Sequence, residues 1–231
     1  MLFYEDATGG GLHSLVRAMA RSRRKSEKRP PFSYFKDYPR KGNARLVRDC
    51  ATFPLVRFRA PHRADHVFAV IDAYEVEKVI PKAPAPPAPD TADGPFGTYC
   101  TALHDAVVKH LQEQAMGDLS EKQRTDELPR FHPHVLFWER ESVILAGAAS
   151  LGKAGGPNFE PEATSPRALL RRRNPAAFID RAFRDQAKGK YQKSIDGPEL
   201  LGLIEADSDG WETVLERVPS LRELVEDLAA I

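Results

Sequence analysis

The sequence predicts an α/β fold, and three observations carry the prediction. Three apolar runs have strand length: MLFYE at the start, HVFAVID near the middle and FHPHVLFW further on. The first run leads through the glycine-rich DATGGG into a stretch with helical apolar spacing, the opening order of an α/β unit. Beyond Gly156 the chain reads as a series of short helices.

The elements follow in order. MLFYE reads as a buried strand, and Gly9 to Gly11 as a tight turn that packs the first helix closely on the sheet. Leu12, Leu15, Val16 and Met19 recur at helical spacing, which leaves a polar face for a basic cluster. The stretch from Pro30 to Arg63 is mixed, with one strand expected around Leu55 to Arg59. HVFAVID lacks polar alternation, as a central strand covered on both faces does. PKAPAPPAPD follows as a proline-rich loop within 81–95. Phe96 to Met116 reads as one amphipathic helix with Leu103, Val107, Val108 and Leu111 on its apolar side. FHPHVLFW is a strand, and ERESVILAG turns helical at once. Short helices are expected around Pro166–Arg173, Pro175–Ala187, Pro198–Ile204 and Pro219–Leu228, several opening on proline, whose missing N–H costs nothing there. Trp211 and the C-terminal leucines read as core. The expected division is an α/β core over 1–150 and a helical C-terminal region over 151–231 packed on it.

Composition sets the class. A chain of 231 residues, 42% hydrophobic and 29% charged, has the balance of a folded globular protein. No apolar run approaches the roughly 20 residues that span a bilayer, and MLFYEDATGG lacks a secretory pattern, so no membrane association is expected. Cys50 and Cys100 form neither a disulfide framework nor a zinc ribbon, which agrees with a cytoplasmic setting. Net charge is +1, but seven of the thirteen residues from Arg17 to Arg29 are Lys or Arg. A second basic group comprises Arg167 and Arg171 to Arg173. Such groups either neutralise nucleic-acid phosphates or form solvated helix faces.

Candidate chemistry lies where the apolar runs end. Glu5 follows MLFY, Asp72 follows HVFAVI, and Glu139 follows HVLFW with Glu141 two residues on. The carboxyl ends of strands in an open parallel sheet form a ligand crevice. Acids delivered to one such edge would suit Mg²⁺, which polarises a phosphodiester and orients a water. Ordinary strand-terminating acids are the alternative. His132 and His134, two apart in a strand, are either metal ligands or hydrogen-bonded structural histidines. Lys190 and Lys193 in GKYQKSIDG either contact phosphate or belong to a solvated loop before a helix capped by Asp196 or Gly197. The glycine run lacks the Lys-Ser/Thr of a P-loop, so nucleotide hydrolysis by this chain is not expected.

Four stretches carry a resemblance: FYEDATGGGLHSLV, VFAVIDAYEVEKVIP, RFHPHVLFWERESVILA, and GKYQKSIDGPELLGLI followed by VPSLRELVEDL. In order and spacing, from end to end, the chain resembles the bacterial Toprim-like family catalogued as domain of unknown function 4276. The resemblance implies a Toprim-like core, a mostly parallel central sheet flanked by helices, as in topoisomerases, primases and nucleases of the overcoming-lysogenization-defect group. It implies a nuclease or phosphodiesterase that uses Mg²⁺ or Mn²⁺. Glu5 would be its acid–base glutamate, Asp72, Glu139 and Glu141 its metal carboxylates, and Lys193 a catalytic lysine that contacts phosphate with Lys190. The implied partners are DNA or RNA and an AAA or ABC-type ATPase in anti-phage defence, with homo-oligomerisation left open. A catalytically silent module docked on that ATPase is the alternative. The sequence departs from the family pattern at Tyr74, where Toprim cores carry a second acid, at Trp138, where the family has His, and at Asp6-Ala7-Thr8.

Overall fold

The computed structural model describes residues 2–5, 11–32, 37–40, 42–51, 58, 64–74, 76–88, 93–117 and 119–231. In chain order it contains β1 (Leu2–Glu5), α1 (Leu12–Ser26), β2 (Asp37–Arg40), α2 (Asn43–Cys50) and β3 (Val67–Asp72). Then come α3 (Asp93–Met116), α4 (Glu121–Glu127), β4 (Phe131–Leu136), α5 (Arg140–Ala146) and α6 (Ala148–Lys153). The chain closes with α7 (Pro166–Arg171), α8 (Pro175–Asp185), α9 (Asp196–Ala206), α10 (Trp211–Arg217) and α11 (Pro219–Ala230). Among the described residues no helix is long and apolar enough to cross a membrane.

The protein is α/β and divides into two compact units. The first comprises Met1–Ala7 with Phe35–Val135, the second Thr8–Tyr34 with Leu136–Ile231. This differs from the division expected at residue 150. The helix that follows β1 joins the C-terminal helices, and the first unit ends with β4.

The first unit is built on a four-stranded sheet in the order β2-β1-β3-β4, with β1 parallel to both β2 and β3. All six residues of β3 are buried, as a strand with neighbours on both sides and apolar residues throughout should be. The sequence does not announce β2, whose Asp37-Tyr38-Pro39-Arg40 contains a proline. Its edge position accounts for that, because an edge strand can spare the N–H that proline lacks. The strand expected at Leu55–Arg59 lies outside the described residues except for Phe58, which is buried beneath the Arg130 guanidinium, 4.4 Å from the ring centroid. Helix α2 packs on β1 and β3 through buried Leu46, Val47 and Cys50. Helix α3 covers α2 and buries Phe96, Cys100, Leu103, Val107 and Leu111 on one stripe at three- to four-residue spacing. Val108 is only half-buried. A reciprocal Ser120–Gln123 capping box starts α4. Lys82–Ala88 in the proline-rich stretch has no regular secondary structure.

The second unit is a helical assembly around α5, α9 and α11. Helix α1 packs on α9 and α11, and Gly11, at φ 79°, makes the close approach. A Cβ there would lie 3.2 Å from Leu201 Cβ and 3.3 Å from the Pro198 backbone. The glycine therefore serves helix-to-helix packing, whereas the sequence pointed to a sheet. Prolines open α7, α8 and α11, and Ser165 and Asn174 cap the first two by accepting from Ala168 N and Ala177 N at 3.3 and 3.0 Å. Helix α9 starts at Asp196, ahead of Pro198. Its cap position is Ile195, and Asp196 instead accepts from the Gln192 amide at 2.6 Å. Trp138 is fully buried and its indole N–H donates to Leu170 O at 2.6 Å, which joins the approach to α5 to the end of α7. Leu221, Leu224 and Leu228 are buried as expected, while Trp211 is half-exposed.

Candidate functional site

In the first unit, the parallel pairing of β1 with β3 sets Tyr4 beside Val70. Glu5 is the last residue of β1 and Asp72 the last of β3. Two adjacent parallel strands thus end on acids at the carboxyl edge of the sheet, where open α/β sheets bind ligands. Asp72 is buried, and its backbone carbonyl accepts from Asn43 Nδ2 at 2.9 Å, which ties the strand end to the start of α2. Of the next acids after Asp72, Glu77 sits in the single helical turn Val76–Lys78, and Glu75 lies outside the described residues.

Glu139 and Glu141 belong to the second unit. Glu139 does not end a strand. β4 stops at Leu136, and Glu139 is the cap residue of α5 in extended conformation, its side chain making no cap hydrogen bond. The Trp138 amide instead donates to Ser142 Oγ at 3.0 Å. Glu139 is therefore available to Lys193, whose ammonium lies 2.6 Å from its Oε1 and 3.9 Å from Glu141 Oε2. Glu141, 1% exposed, also accepts from Tyr191 OH at 3.0 Å and pairs with Arg140 Nε at 3.3 Å. Arg140 donates in addition to the Lys193 backbone carbonyl.

The electrostatics balance: two buried carboxylates face one guanidinium and one ammonium. Burying the acids without those cations would carry a desolvation penalty of several kcal/mol per ion. Burial first, and then the Glu141 charge, hold the Tyr191 phenol well above its usual range, so it remains a donor. Gly197 completes the arrangement through its missing side chain, since a Cβ would lie 3.1 Å from Tyr191 OH and 3.2 Å from Arg140 Nη2.

Thus GKYQKSIDG does meet the glutamates. Lys193 has carboxylate partners where the sequence pointed to a phosphate contact, and Lys190 is solvent-exposed. Sequence reasoning passed over Arg140 and Tyr191 and weighed Gly197 only as a helix cap. Their signal was their place inside two of the four stretches that carry the resemblance.

A hard divalent ion fits carboxylate oxygen donors, and Mg²⁺ is commonly held by only one or two carboxylates with waters and substrate phosphates. Glu139 and Glu141 fit that chemistry, because both reach a single cation, the Lys193 ammonium. Among the described residues, no group of three or more His, Cys, Asp or Glu side chains gathers as metal donors.

His132 meets the structural alternative. Its Nε2 is 2.9 Å from His66 Nδ1, and its ring stacks on Phe68 at 4.5 Å. Burial, then the positive charge that a neighbouring histidine would carry, push His132 and His134 down to about 4. Burial lifts the Cys100 thiol to about 11 and the Cys50 thiol further still, so neither is a ready nucleophile.

Two members of the first basic group are engaged in structure. Arg24 is buried and donates to Ala229 O and Ile231 O at 3.1 and 2.8 Å, and Arg23 approaches Glu212 and Glu226 at 3.5 and 3.6 Å. Compared with family models, with curated proteins and with solved structures, the chain matches none.

Proposed function

We propose that the chain is a Toprim-like phosphodiesterase that cleaves nucleic acid with Mg²⁺ or Mn²⁺. The observation that supports this most directly is the pair of adjacent parallel strands β1 and β3, ending in Glu5 and Asp72. In this reading Glu5 moves the proton. Asp72 in the first unit, and Glu139 and Glu141 in the second, are the carboxylates assigned to metal. An ion held by carboxylates of either unit would polarise the phosphodiester and lower the pKa of a water. The resemblance adds an anti-phage setting and an ATPase partner.

The test is cleavage of labelled DNA and RNA in Mg²⁺ or Mn²⁺ against EDTA, with and without the partner ATPase. Asp72→Ala and Glu139→Ala should each slow cutting by at least about a hundredfold, the loss expected for an essential electrostatic or acid–base group. Unchanged cutting in both would overturn the assignment.

A second reading is a binding module that docks on the ATPase without chemistry. It is favoured by the engagement of both Glu139 and Glu141 with Lys193, Arg140 and Tyr191. Metal-independent capture of the ATPase, with no cutting under any condition above, would select it.

A further inference from the structure

The second basic group has features that neither a salt-bridged helix face nor the carboxylate cluster explains. Arg172 follows the last residue of α7 and is half-buried, with its guanidinium carbon 3.8 Å from the centroid of the Phe178 ring. Its Nε is buried and, among the described residues, has no hydrogen-bond partner. A buried donor left this way is costly.

Arg181 lies one turn after Phe178 on α8, hence on the same face of that helix, and is exposed. Among the described residues neither Arg172 nor Arg181 enters an ion pair. The nearby carboxylate of Asp180 is already taken, by Arg184 Nε at 3.1 Å and the Tyr191 amide at 2.9 Å. Burial, and after it the like charge of Arg181, hold Arg172 below the usual arginine range. The half-exposed Phe159 ring stands beside Phe178 at a centroid distance of 6.2 Å.

These features belong together chemically. Phe178 holds one face of a planar guanidinium, which leaves the other face to stack on a base and the N–H edge to meet a phosphate. A second unpaired guanidinium and a second ring adjoin it. Cations that track a backbone beside aromatic platforms are the pattern that binds single strands, whose unpaired bases can stack. We infer that Arg172, Arg181, Phe178 and Phe159 form a binding face for single-stranded nucleic acid. The choice of nucleic acid as partner rests on the proposed function. The face itself rests on the two arginines and the rings, and requires neither metal nor cleavage.

The experiment is fluorescence anisotropy of a labelled single-stranded 20-mer, as DNA and as RNA, titrated at several salt concentrations in EDTA so that cleavage plays no part. Each phosphate released from its counterions contributes about −0.7 to the slope of log K against log salt. Arg172→Gln combined with Arg181→Gln should therefore flatten the slope by about 1.4. Arg181→Gln alone, at an exposed position, should flatten it by about half as much. Phe178→Ala should weaken binding by about fivefold to a hundredfold, as loss of one stacking platform does. An unchanged slope in both arginine variants would overturn the site. A duplex of equal length bound as tightly, with the same loss in the variants, would overturn the single-strand assignment. A phosphoserine peptide that competes as well as the oligonucleotide would overturn the nucleic-acid class. Cleavage lost on Asp72→Ala with this binding intact would leave the inference standing whatever becomes of the enzyme reading.

Discussion

Lys193 and Glu139, 54 positions apart in the chain, meet through an ammonium-to-carboxylate contact of 2.6 Å. Glu139 is buried while the Lys193 side chain is 48% exposed, so the pair sits where solvent screens one partner and not the other. Removing the lysine leaves a buried acid with less compensation. Removing the glutamate costs less, because the lysine can turn to water.

That asymmetry is measurable. Lys193→Ala should lose about 1 kcal/mol in urea unfolding, near the upper limit for a half-exposed pair. In a double-mutant cycle with Glu139→Gln, the coupling should fall at about 0.5–1 kcal/mol. Zero coupling would mean that the contact contributes nothing in solution.

The same lysine bears on metal binding. An ammonium reached by two carboxylates holds the position a divalent cation would compete for. Lys193→Gln should therefore tighten Mn²⁺ binding by about fivefold, the equivalent of about 1 kcal/mol. Titration calorimetry reads this without any activity assay, and an unchanged affinity would separate Lys193 from the metal.

Acid should destabilise the first unit. His132 and His134 titrate at about 4 in the fold and near 6.5 when unfolded, so between these values the unfolded chain binds more protons. Stability is complete above about pH 6.5 and falls as pH drops toward 4. For the buried His134 alone the loss by pH 4.5 is about 2–3 kcal/mol. His134→Gln should flatten the profile of melting temperature against pH, and a slope equal to that of the unsubstituted protein would refute the cause.

Gly147 separates α5 from α6, and a Cβ there would overlap Ile204 Cδ1 and Cγ1 on α9. Ile204 is fully buried. Gly147→Ala should therefore cost about 1–3 kcal/mol through overpacking. Ile204→Val on that background should recover part of the loss, because it removes Cδ1, one of the two carbons that Ala would strike. Denaturant unfolding of the two variants makes the comparison.

Arg24 donates to Pro30, Ala229 and Ile231 carbonyls and fixes the end of α11 to the end of α1. Arg24→Met keeps much of the packing and removes three charge-assisted bonds. A loss of about 2–3 kcal/mol is expected, with faster amide exchange across Pro219–Ala230 as the local reading.

Elements whose pattern is complete within a short window could be read from the residues alone. β1, β3, β4 and α3 were legible because apolar runs and helical spacing report local burial directly, and Glu5 and Asp72 at two strand ends came with them. Tertiary structure alone decided the rest. β2 is a strand because β1 offers it an edge, which Asp37–Arg40 cannot signal. Helix α1 joins the C-terminal helices because Leu12, Leu15 and Val16 find their cover there, and periodicity says that a face is buried but not against what. Glu139 changed from a strand-end acid to the cap residue of α5, and the fold gave Lys193 two carboxylate neighbours that its position in the sequence did not indicate. A charge names no partner until the fold sets a distance, and Coulomb energy falls with that distance and with the water left between.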